Sequence, residues 1–243
     1  GVPAEAAIAI RHLLLSPYAA LLRVRATAAL ARSGAPYHLV LLQLSHDANH
    51  IAASPYPSTE AYLSDVMAAF ARSAPAHHRL VFKAHPLEDG RLPLARTIRR
   101  LAKDLCIGTR VHFVTGAKLA PLLDTATSAV TVNSTAVHQA LWRGLPVKNL
   151  GVAPHAKPEF TSRQSLEAFF AAPDLPDRDA YMTFRRYLLA TCQIPGGFYA
   201  TRARRRLLRR ATDLVLAPFD PFDTLNSADA SAQHLRLVDN SGR

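Results

Sequence analysis

The chain has 243 residues, 49% of them hydrophobic, and its length and composition indicate a globular protein that buries a proper core in one large domain or one domain with extensions. Lys and Arg number 29 against 18 Asp and Glu, which gives a net charge of +11. Such a surplus attracts polyanions, whether nucleic acid, anionic lipid headgroups or a nucleotide, and does not choose among them. Much of the excess lies in a helical run of six arginines over residues 202–210, which could equally be a solvated face.

The sequence shows neither a membrane span nor a secretory signal. The most apolar run, residues 6–22, is interrupted by Arg11, His12 and Pro17. Two cysteines, Cys106 and Cys192, fit no metal or redox spacing, and their local patterns predict helical, buried positions. We therefore expect a reducing, cytoplasmic setting.

Hydrophobic periodicity predicts a helix over residues 4–33 and then strands that alternate with helices. The predicted strands are 37–44, 79–83, 110–114, 129–132 and 147–150, and the intervening helices are 58–72, 94–106, 118–125 and 134–144. Five strands joined by short helical connections indicate a parallel, doubly wound α/β sheet of the Rossmann-like kind.

The pattern changes after Gly151. Residues 152–163 are mostly polar and contain two prolines, which predicts a loop; helices are expected over 165–170, 179–191 and 201–216. Periodicity is lost from residue 218, which predicts a mobile tail. The expected organisation is a helical segment (1–36), a Rossmann-like domain with C-terminal helices (37–217) and the tail (218–243).

The fourth predicted strand ends at residues 133–135 (NST), where a helix begins. Ser134 or Thr135 would be the N-cap, and the N–H groups of the first turn would face outward at the positive helix end. In an open parallel sheet this turn lies at the carboxyl edge, so an anionic group, most plausibly a phosphate, is the expected guest. The alternative is an ordinary cap with nothing bound, which is the commoner case for Ser and Thr.

Three loops that follow predicted strands carry polar or reactive groups, namely residues 43–50, 85–86 and 133–135. Because parallel strands end at one edge of a sheet, we expect these loops to converge, although roughly forty residues separate each from the next.

Each polar residue at this edge has a functional and a structural interpretation. His85, held in an extended conformation by Pro86, could offer a hydrogen bond or charge to a phosphate, or be an ordinary loop histidine. Asp47 could act as a general base or orient a sugar hydroxyl, or cap a turn. Lys83 and Lys148 could contact phosphate or be solvated lysines.

The sequence also lacks several patterns with known chemistry. It contains no glycine-rich dinucleotide fingerprint, no P-loop, no His-Cys metal cluster and no nucleophile elbow. We therefore predict neither a metal nor a cofactor.

Five segments in the same order together resemble the capsule polysaccharide biosynthesis and export proteins of Gram-negative bacteria, of the KpsS type. They are residues 37–47 (YHLVLLQLSHD), 82–90 (FKAHPLEDG), 131–135 (TVNST), 141–148 (LWRGLPVK) and 187–199 (YLLATCQIPGGFY). The likeness extends from residue 37 to about residue 216.

The resemblance implies a retaining glycosyltransferase that moves Kdo from CMP-β-Kdo to a phosphatidylglycerol-linked acceptor in capsule linker synthesis. The implied fold is the C-terminal nucleotide-binding domain of a GT-B enzyme. His85 and Pro86, with Ser134 and Thr135, would bind the CMP, and Asn133 and Lys83 are added to this donor site from the same edge. Gln43 and Asp47 would be the catalytic pair, with Asp47 positioning acceptor or donor.

The resemblance also implies partners, and the sequence departs from the family pattern in two places. The lipid acceptor and the capsule export proteins would place the chain at the cytoplasmic face of the inner membrane. The family has a further domain upstream, so this chain is expected to be a fragment or to have lost the acceptor domain, and its loop over 152–161 lacks the Tyr-Asp stretch expected there. One alternative is a non-catalytic nucleotide- or polysaccharide-binding module of the export machinery. A nucleic-acid binder, suggested by charge alone, ranks last because the basic residues are not interleaved with aromatic ones.

Overall fold

The computed structural model describes residues 34–88, 90–197, 200–218 and 220–222. The helix predicted over residues 4–33 and most of the predicted tail lie outside these ranges.

A five-stranded parallel sheet forms the centre of the described chain. The strands are β1 (Tyr37–Leu41), β2 (Arg79–Lys83), β3 (Val111–Val114), β4 (Ser128–Thr131) and β5 (Val147–Asn149). Their order is β3-β2-β1-β4-β5, so the chain first builds outward from β1 on one side and then returns to add β4 and β5 on the other. This order confirms the predicted doubly wound α/β sheet and makes β1 its central strand.

Helices connect the strands and follow the last one. They are α1 (Ala48–Ala53), α2 (Thr59–Ser73), α3 (Leu94–Asp104), α4 (Leu119–Leu123), a 3₁₀ turn (Thr135–Val137), α5 (His138–Trp142), α6 (Leu166–Ala171), α7 (Arg178–Thr191) and α8 (Thr201–Val215). The N-cap of α2 is Ser58, whose side chain accepts a hydrogen bond from Ala61 N at 3.1 Å. The predicted start of this helix is therefore confirmed.

The main hydrophobic core lies between the sheet and helices α2, α3 and α6. Strand residues Val40, Phe82 and Val130 are fully buried there, with Phe70 of α2 and Phe169 of α6. Strands covered in this way have nearly continuous apolar sequences, and this is why the sequence alone located them.

Two predicted features at the end of β1 are wrong. The strand ends at Leu41, three residues before the predicted end, and helix α1 begins within the polar segment that was assigned to a loop. Ladder bonding continues for one residue, because Leu42 N donates to Lys83 O at 3.0 Å. A six-residue helix is too short to show a period of 3.6 residues clearly, so the sequence pattern could not reveal α1.

Helix α3 ends in a Schellman motif whose left-handed residue is a cysteine. Cys106 has φ +55°, its N–H bonds to Lys103 O at 3.0 Å, and Ile107 N bonds to Ala102 O at 2.9 Å. Ile107 is buried beneath this turn, whereas Cys106 is exposed. Cys192 is exposed as well, so the predicted burial of both cysteines is wrong.

The chain divides into two compact units, one ending at Arg178 and the other beginning at Asp179. The first contains the whole sheet. In the second, the turn at Gly196 approaches α8 so closely that a Cβ at Gly196 would lie 2.5 Å from Leu207 Cβ and 2.9 Å from Ala203 O. The domain boundaries predicted at residues 36 and 217 stay predictions.

Candidate functional site

The three polar loops follow three neighbouring strands. Leu41 of β1 pairs with Lys83 on one side and with Thr131 on the other, so the chain leaves β2 and β4 at the same level of the sheet. His85 and Asn133 each follow two residues later. With strands about 4.8 Å apart, β2 and β4 run about 10 Å from each other, with β1 between them. The predicted convergence therefore occurs at the carboxyl edge, where the strand order reverses.

A short hydrogen-bond chain fixes the loop after β4. Gln43 Oε1 accepts a bond from Asn133 N at 3.2 Å, which ties the loop after β1 to the loop after β4. Thr131 Oγ1 accepts from Ser134 N at 3.2 Å and donates to Leu41 O at 3.3 Å. Because Thr131 and Ser134 are buried, these bonds hold the backbone firmly. Gln43 thus positions the loop, and Thr131 is a contributor that the sequence analysis missed.

Ser134 is the N-cap, as predicted for Ser134 or Thr135. Its side chain accepts from Ala136 N at 3.3 Å, and Thr135 is exposed beside it. The helix predicted up to Gly144 is instead a three-residue 3₁₀ turn followed by the five residues of α5. So short a helix has a small macrodipole, and an anion here would depend on individual N–H groups and on neighbouring side chains.

His85 presents one nitrogen as a donor. Its Nδ1 accepts a hydrogen bond from Leu87 N at 3.2 Å, which in the neutral ring places the proton on Nε2. The ring is half-buried, and Pro86 beside it is exposed. An Nε2–H donor held at the end of a buried strand is suited to an oxyanion, and the two-residue turn that orients it explains why a His-Pro pair suits this position.

Lys83 places an amine inside the protein at the end of β2. The residue is 5% exposed, and its Nζ donates to Ala84 O at 2.7 Å. Burial lowers the pKa of this amine. In the described part of the chain no carboxylate lies within ion-pair distance of it. The solvated-lysine interpretation of Lys83 is therefore wrong.

The other two charged candidates differ from Lys83. Lys148 Nζ donates to Ser162 O at 3.3 Å and to Gln164 O, so this lysine ties β5 to the following loop. Asp47 is half-buried and directly precedes α1, and its carbonyl accepts from Ile51 N at 2.9 Å. The backbone of Asp47 thus has the capping role, while the catalytic role of its carboxylate stays a prediction. The roles assigned to Gln43, Pro86 and Asn133 stay predictions as well.

A second polar group near the end of β5 was not anticipated. His155 is 2% exposed, its Nε2 lies 3.2 Å from Asn149 Oδ1, and its ring centroid lies 5.0 Å from that of His138 in α5. Burial, with His138 adding to it, lowers the pKa of His155 to about 4. Asn149 Nδ2 also donates to Gly151 O at 2.6 Å. In the sequence, the only indication of this group was Asn149 at the end of the predicted strand.

Gly151 lets α1 approach the sheet edge. Its N–H donates to Val132 O at 2.8 Å, and a Cβ there would lie 2.5 Å from Ala53 O and 2.8 Å from Val132 Cγ1. Only glycine fits this contact. The change of pattern seen at Gly151 in the sequence therefore coincides with a packing requirement.

No group of three or more His, Cys, Asp or Glu side chains among the described residues could hold a metal ion. None of the helices described is both long enough and apolar enough to cross a membrane.

Comparison with known proteins gives a family and several relatives. Residues 7–199 match the family described as capsule polysaccharide biosynthesis protein. The chain is 34% identical over 163 residues to the capsule polysaccharide export protein KpsS of Escherichia coli, covering 67% of this chain and 42% of that protein. It is 32% identical over 165 residues to the capsule polysaccharide modification protein LipB of Neisseria meningitidis, covering 68% of this chain and 39% of that protein.

A solved structure, Thermosulfurimonas dismutans KpsC, a beta Kdo 2,7 transferase, has 18% identity and a TM-score of 0.38, with 56% of this chain and 44% of that chain covered. This chain spans about two fifths of the length of the curated relatives it matches.

Proposed function

The chain belongs to the capsule polysaccharide biosynthesis protein family, and from this premise we propose that it is a retaining β-Kdo glycosyltransferase, or the donor-binding half of one. Its donor is CMP-β-Kdo, and its acceptor is linked to phosphatidylglycerol at the cytoplasmic face of the inner membrane. Residues 37–217 form the nucleotide-binding domain of a GT-B arrangement. The proposed reaction uses neither a metal nor a cofactor.

The observation that carries the proposal is the buried amine of Lys83. An ammonium group in a protein interior needs a partner that offsets the loss of hydration, and one carbonyl satisfies only one of its three N–H donors. The amine lies at the carboxyl edge where nucleotides settle in doubly wound sheets. A phosphate bound there would compensate the charge and restore the pKa of the amine toward its ordinary value.

Further donors at the same edge support a phosphate. His85 Nε2 faces away from its own turn. Around the 3₁₀ turn, the N–H groups of Ser134, Ala136 and Val137 bond to protein acceptors, so the turn would offer the N–H of Thr135. Lys83 ends β2, His85 follows it, and Thr135 follows β4, so a phosphate of a cytidylate would be bound from two sides. Gln43 holds the second of these loops in place through Asn133 N.

Asp47 is the candidate for positioning acceptor or donor at the edge of this site. Because it precedes α1 at the end of the central strand, its carboxylate belongs to the same loop system as Gln43. A carboxylate can orient a sugar hydroxyl or accept its proton. In a full transferase this group would act on the sugar, while Lys83, His85 and Ser134 would serve the nucleotide.

Calorimetric titration with CMP tests the donor site. We expect micromolar binding by the unmodified chain and a loss of about 10- to 100-fold for Lys83→Met and for His85→Ala, since each removes a hydrogen bond to a charged group. Ser134→Ala should weaken binding as well, because it loosens the N-cap of the 3₁₀ turn. The matched control is His46→Ala, an exposed histidine of the loop after β1.

Equal affinity of Lys83→Met and the unmodified chain would contradict the donor site. Transfer is a separate question from binding, and it is measured by incorporation of labelled Kdo into a phosphatidylglycerol-based acceptor. CMP binding without incorporation, in the full-length protein, would instead support a non-catalytic binding module of capsule export.

A further inference from the structure

One face of helix α8 (Thr201–Val215) packs against other residues of the second compact unit. Ala203 and Leu207 lie against the turn at Gly196, where no side chain larger than hydrogen fits. Leu207 and Leu214 are half-exposed and, being seven residues apart, lie on the same side of the helix. The helix is therefore anchored through this side, which fixes the orientation of the opposite face.

The rest of the helix surface is densely basic. Five arginines of α8 are exposed and a sixth is half-exposed, and Asp213 is the only acidic residue of the helix. The six are Arg202, Arg204, Arg205, Arg206, Arg209 and Arg210. Within the described part of the chain no carboxylate pairs with this cluster, which favours an anionic partner.

Large aliphatic side chains are exposed among these arginines. Leu208 is 60% exposed, Val215 is 83% exposed, and Leu216, directly after the helix, is 75% exposed. Leu208 and Val215 are seven residues apart and share one side of the helix. Arg204 and Arg205, four and three residues before Leu208, are its neighbours on the helix surface. Aliphatic groups thus lie between basic ones on the exposed face.

We propose that the exposed face of α8 binds the surface of an anionic lipid bilayer, with the helix lying in the interface. Leu208, Val215 and Leu216 would enter the boundary of the acyl chains, and the arginines would contact the headgroup phosphates. This inference rests on the proposed function only in that a lipid-linked acceptor requires a membrane nearby.

A nucleic acid is the less suitable partner. The phosphate backbone would satisfy the arginines, but it offers no apolar environment for Leu208 and Val215. Helix α8 also contains no aromatic residue on which a base could stack. The combination of exposed aliphatic and basic side chains is the one that interfacial helices use.

Flotation of the 243-residue chain with lipid vesicles tests the proposal. We expect binding to vesicles of phosphatidylcholine mixed with phosphatidylglycerol and much weaker binding to phosphatidylcholine alone. Each arginine near an anionic surface contributes about fivefold in affinity, so Arg205→Glu/Arg209→Glu should bind on the order of 100-fold more weakly. Leu208→Ser/Val215→Ser should lower affinity as well, and should do so even at low salt, because it removes apolar contact.

The matched control is Arg96→Glu/Arg99→Glu, which makes the same charge change on exposed arginines of α3. Equal loss in the two charge-reversed variants would overturn the proposal, because binding would then follow net charge alone. Full binding by Leu208→Ser/Val215→Ser, or complete displacement of the chain from vesicles by a short DNA duplex, would also overturn it. CMP titration of the same samples separates the two proposals, because a chain that binds vesicles without binding CMP supports the role of α8 and contradicts the donor site.

Discussion

The two edges of the sheet contain similar polar residues and use them differently. At the amino edge, His38 is fully buried, its Nδ1 lies 2.8 Å from Ser128 Oγ, and its Nε2 lies 3.0 Å from His78 Nδ1. At the carboxyl edge, His85 keeps Nε2–H outside its own turn, and the Lys83 amine has a single carbonyl acceptor. A buried histidine whose two nitrogens both contact protein groups is structural, whereas donors without a protein acceptor at a strand end are available to a ligand.

At the amino edge the guanidinium of Arg110 is stabilised by partners within the protein. Arg110 donates to His78 O at 3.0 Å and to Pro75 O at 2.7 Å, and its guanidinium lies 4.5 Å from the Phe70 ring centroid. Its charge is therefore spread over carbonyls and an aromatic face. Among the described residues, the Lys83 amine at the opposite edge donates to one carbonyl and lies over no aromatic ring.

The largest expected effect is acid destabilisation through His38. Burial, with His78 and Arg110 adding to it, lowers the pKa of His38 to about 3 from an ordinary value of 6.5. Above pH 6.5 the ring is neutral in both the folded and the unfolded chain, so burial of His38 does not lower the free energy of unfolding. As the pH falls from 6.5 toward about 3, the ring becomes protonated in the unfolded chain but stays neutral in the folded chain. The free energy of unfolding should therefore drop by about 1.4 kcal/mol per pH unit.

Urea unfolding at about pH 7 and about pH 5 measures this loss. His38→Gln cannot titrate and should show a smaller difference between the two conditions, while exposed His46→Gln should behave like the unmodified chain. His155, whose pKa is lowered to about 4, adds a loss of the same sign and keeps the difference above zero in His38→Gln. An unchanged pH dependence in His38→Gln would show that the amino edge is not a closed neutral network.

A smaller effect is expected from Gly151→Ala at the carboxyl edge. The new methyl group would lie 2.5 Å from Ala53 O, so α1 must shift away from the sheet. Overpacking of this kind costs about 1–3 kcal/mol of unfolding free energy, measurable by urea denaturation. Gly108→Ala is the matched control, because a Cβ there meets nothing within 4 Å. Equal stability of the two variants would mean that the contact between α1 and Gly151 is loose.

The smallest effect is a gain at the amino edge, in the turn that leads into β3. Cys106 holds φ +55°, a conformation that costs a residue with a side chain about 1 kcal/mol, and Cys106→Gly should raise the free energy of unfolding by about 0.5–1 kcal/mol. Cys106→Ala removes the same thiol and keeps the Cβ, so it should bring no gain. A gain in both variants would assign the effect to the thiol.

The sequence predicted the elements whose signals are strong and local. Strand β2 lies at the predicted residues, and Ser58 caps α2 as expected, because buried apolar runs and capping residues leave short-range patterns. The convergence of three loops was also predictable, since it follows from parallel topology alone. Helix α1 and the 3₁₀ start after Ser134 were not, because each is shorter than the pattern that would identify it.

The sequence located the sheet edge that carries the candidate residues, while the roles assigned to them stay predictions. His85, Lys83 and Ser134 lie where the pattern placed them, but the bond from Asn133 N to Gln43 Oε1 joins residues ninety positions apart. No local pattern reveals such a pairing. His155 and Thr131 were missed for the same reason, because burial of a single polar side chain depends on elements distant in the chain.

The position of β1 between β2 and β4 determines when the candidate site can form during folding. His38 pairs with Leu80 on one side and with Ser128 on the other, so the central strand pairs with segments about 40 and 90 residues downstream. Contacts of such high contact order form late, since loop closure must precede them. Nascent or truncated chains that end before β4 can contain helices, yet they cannot contain the candidate site, whose loops meet only after β1 and β4 have paired.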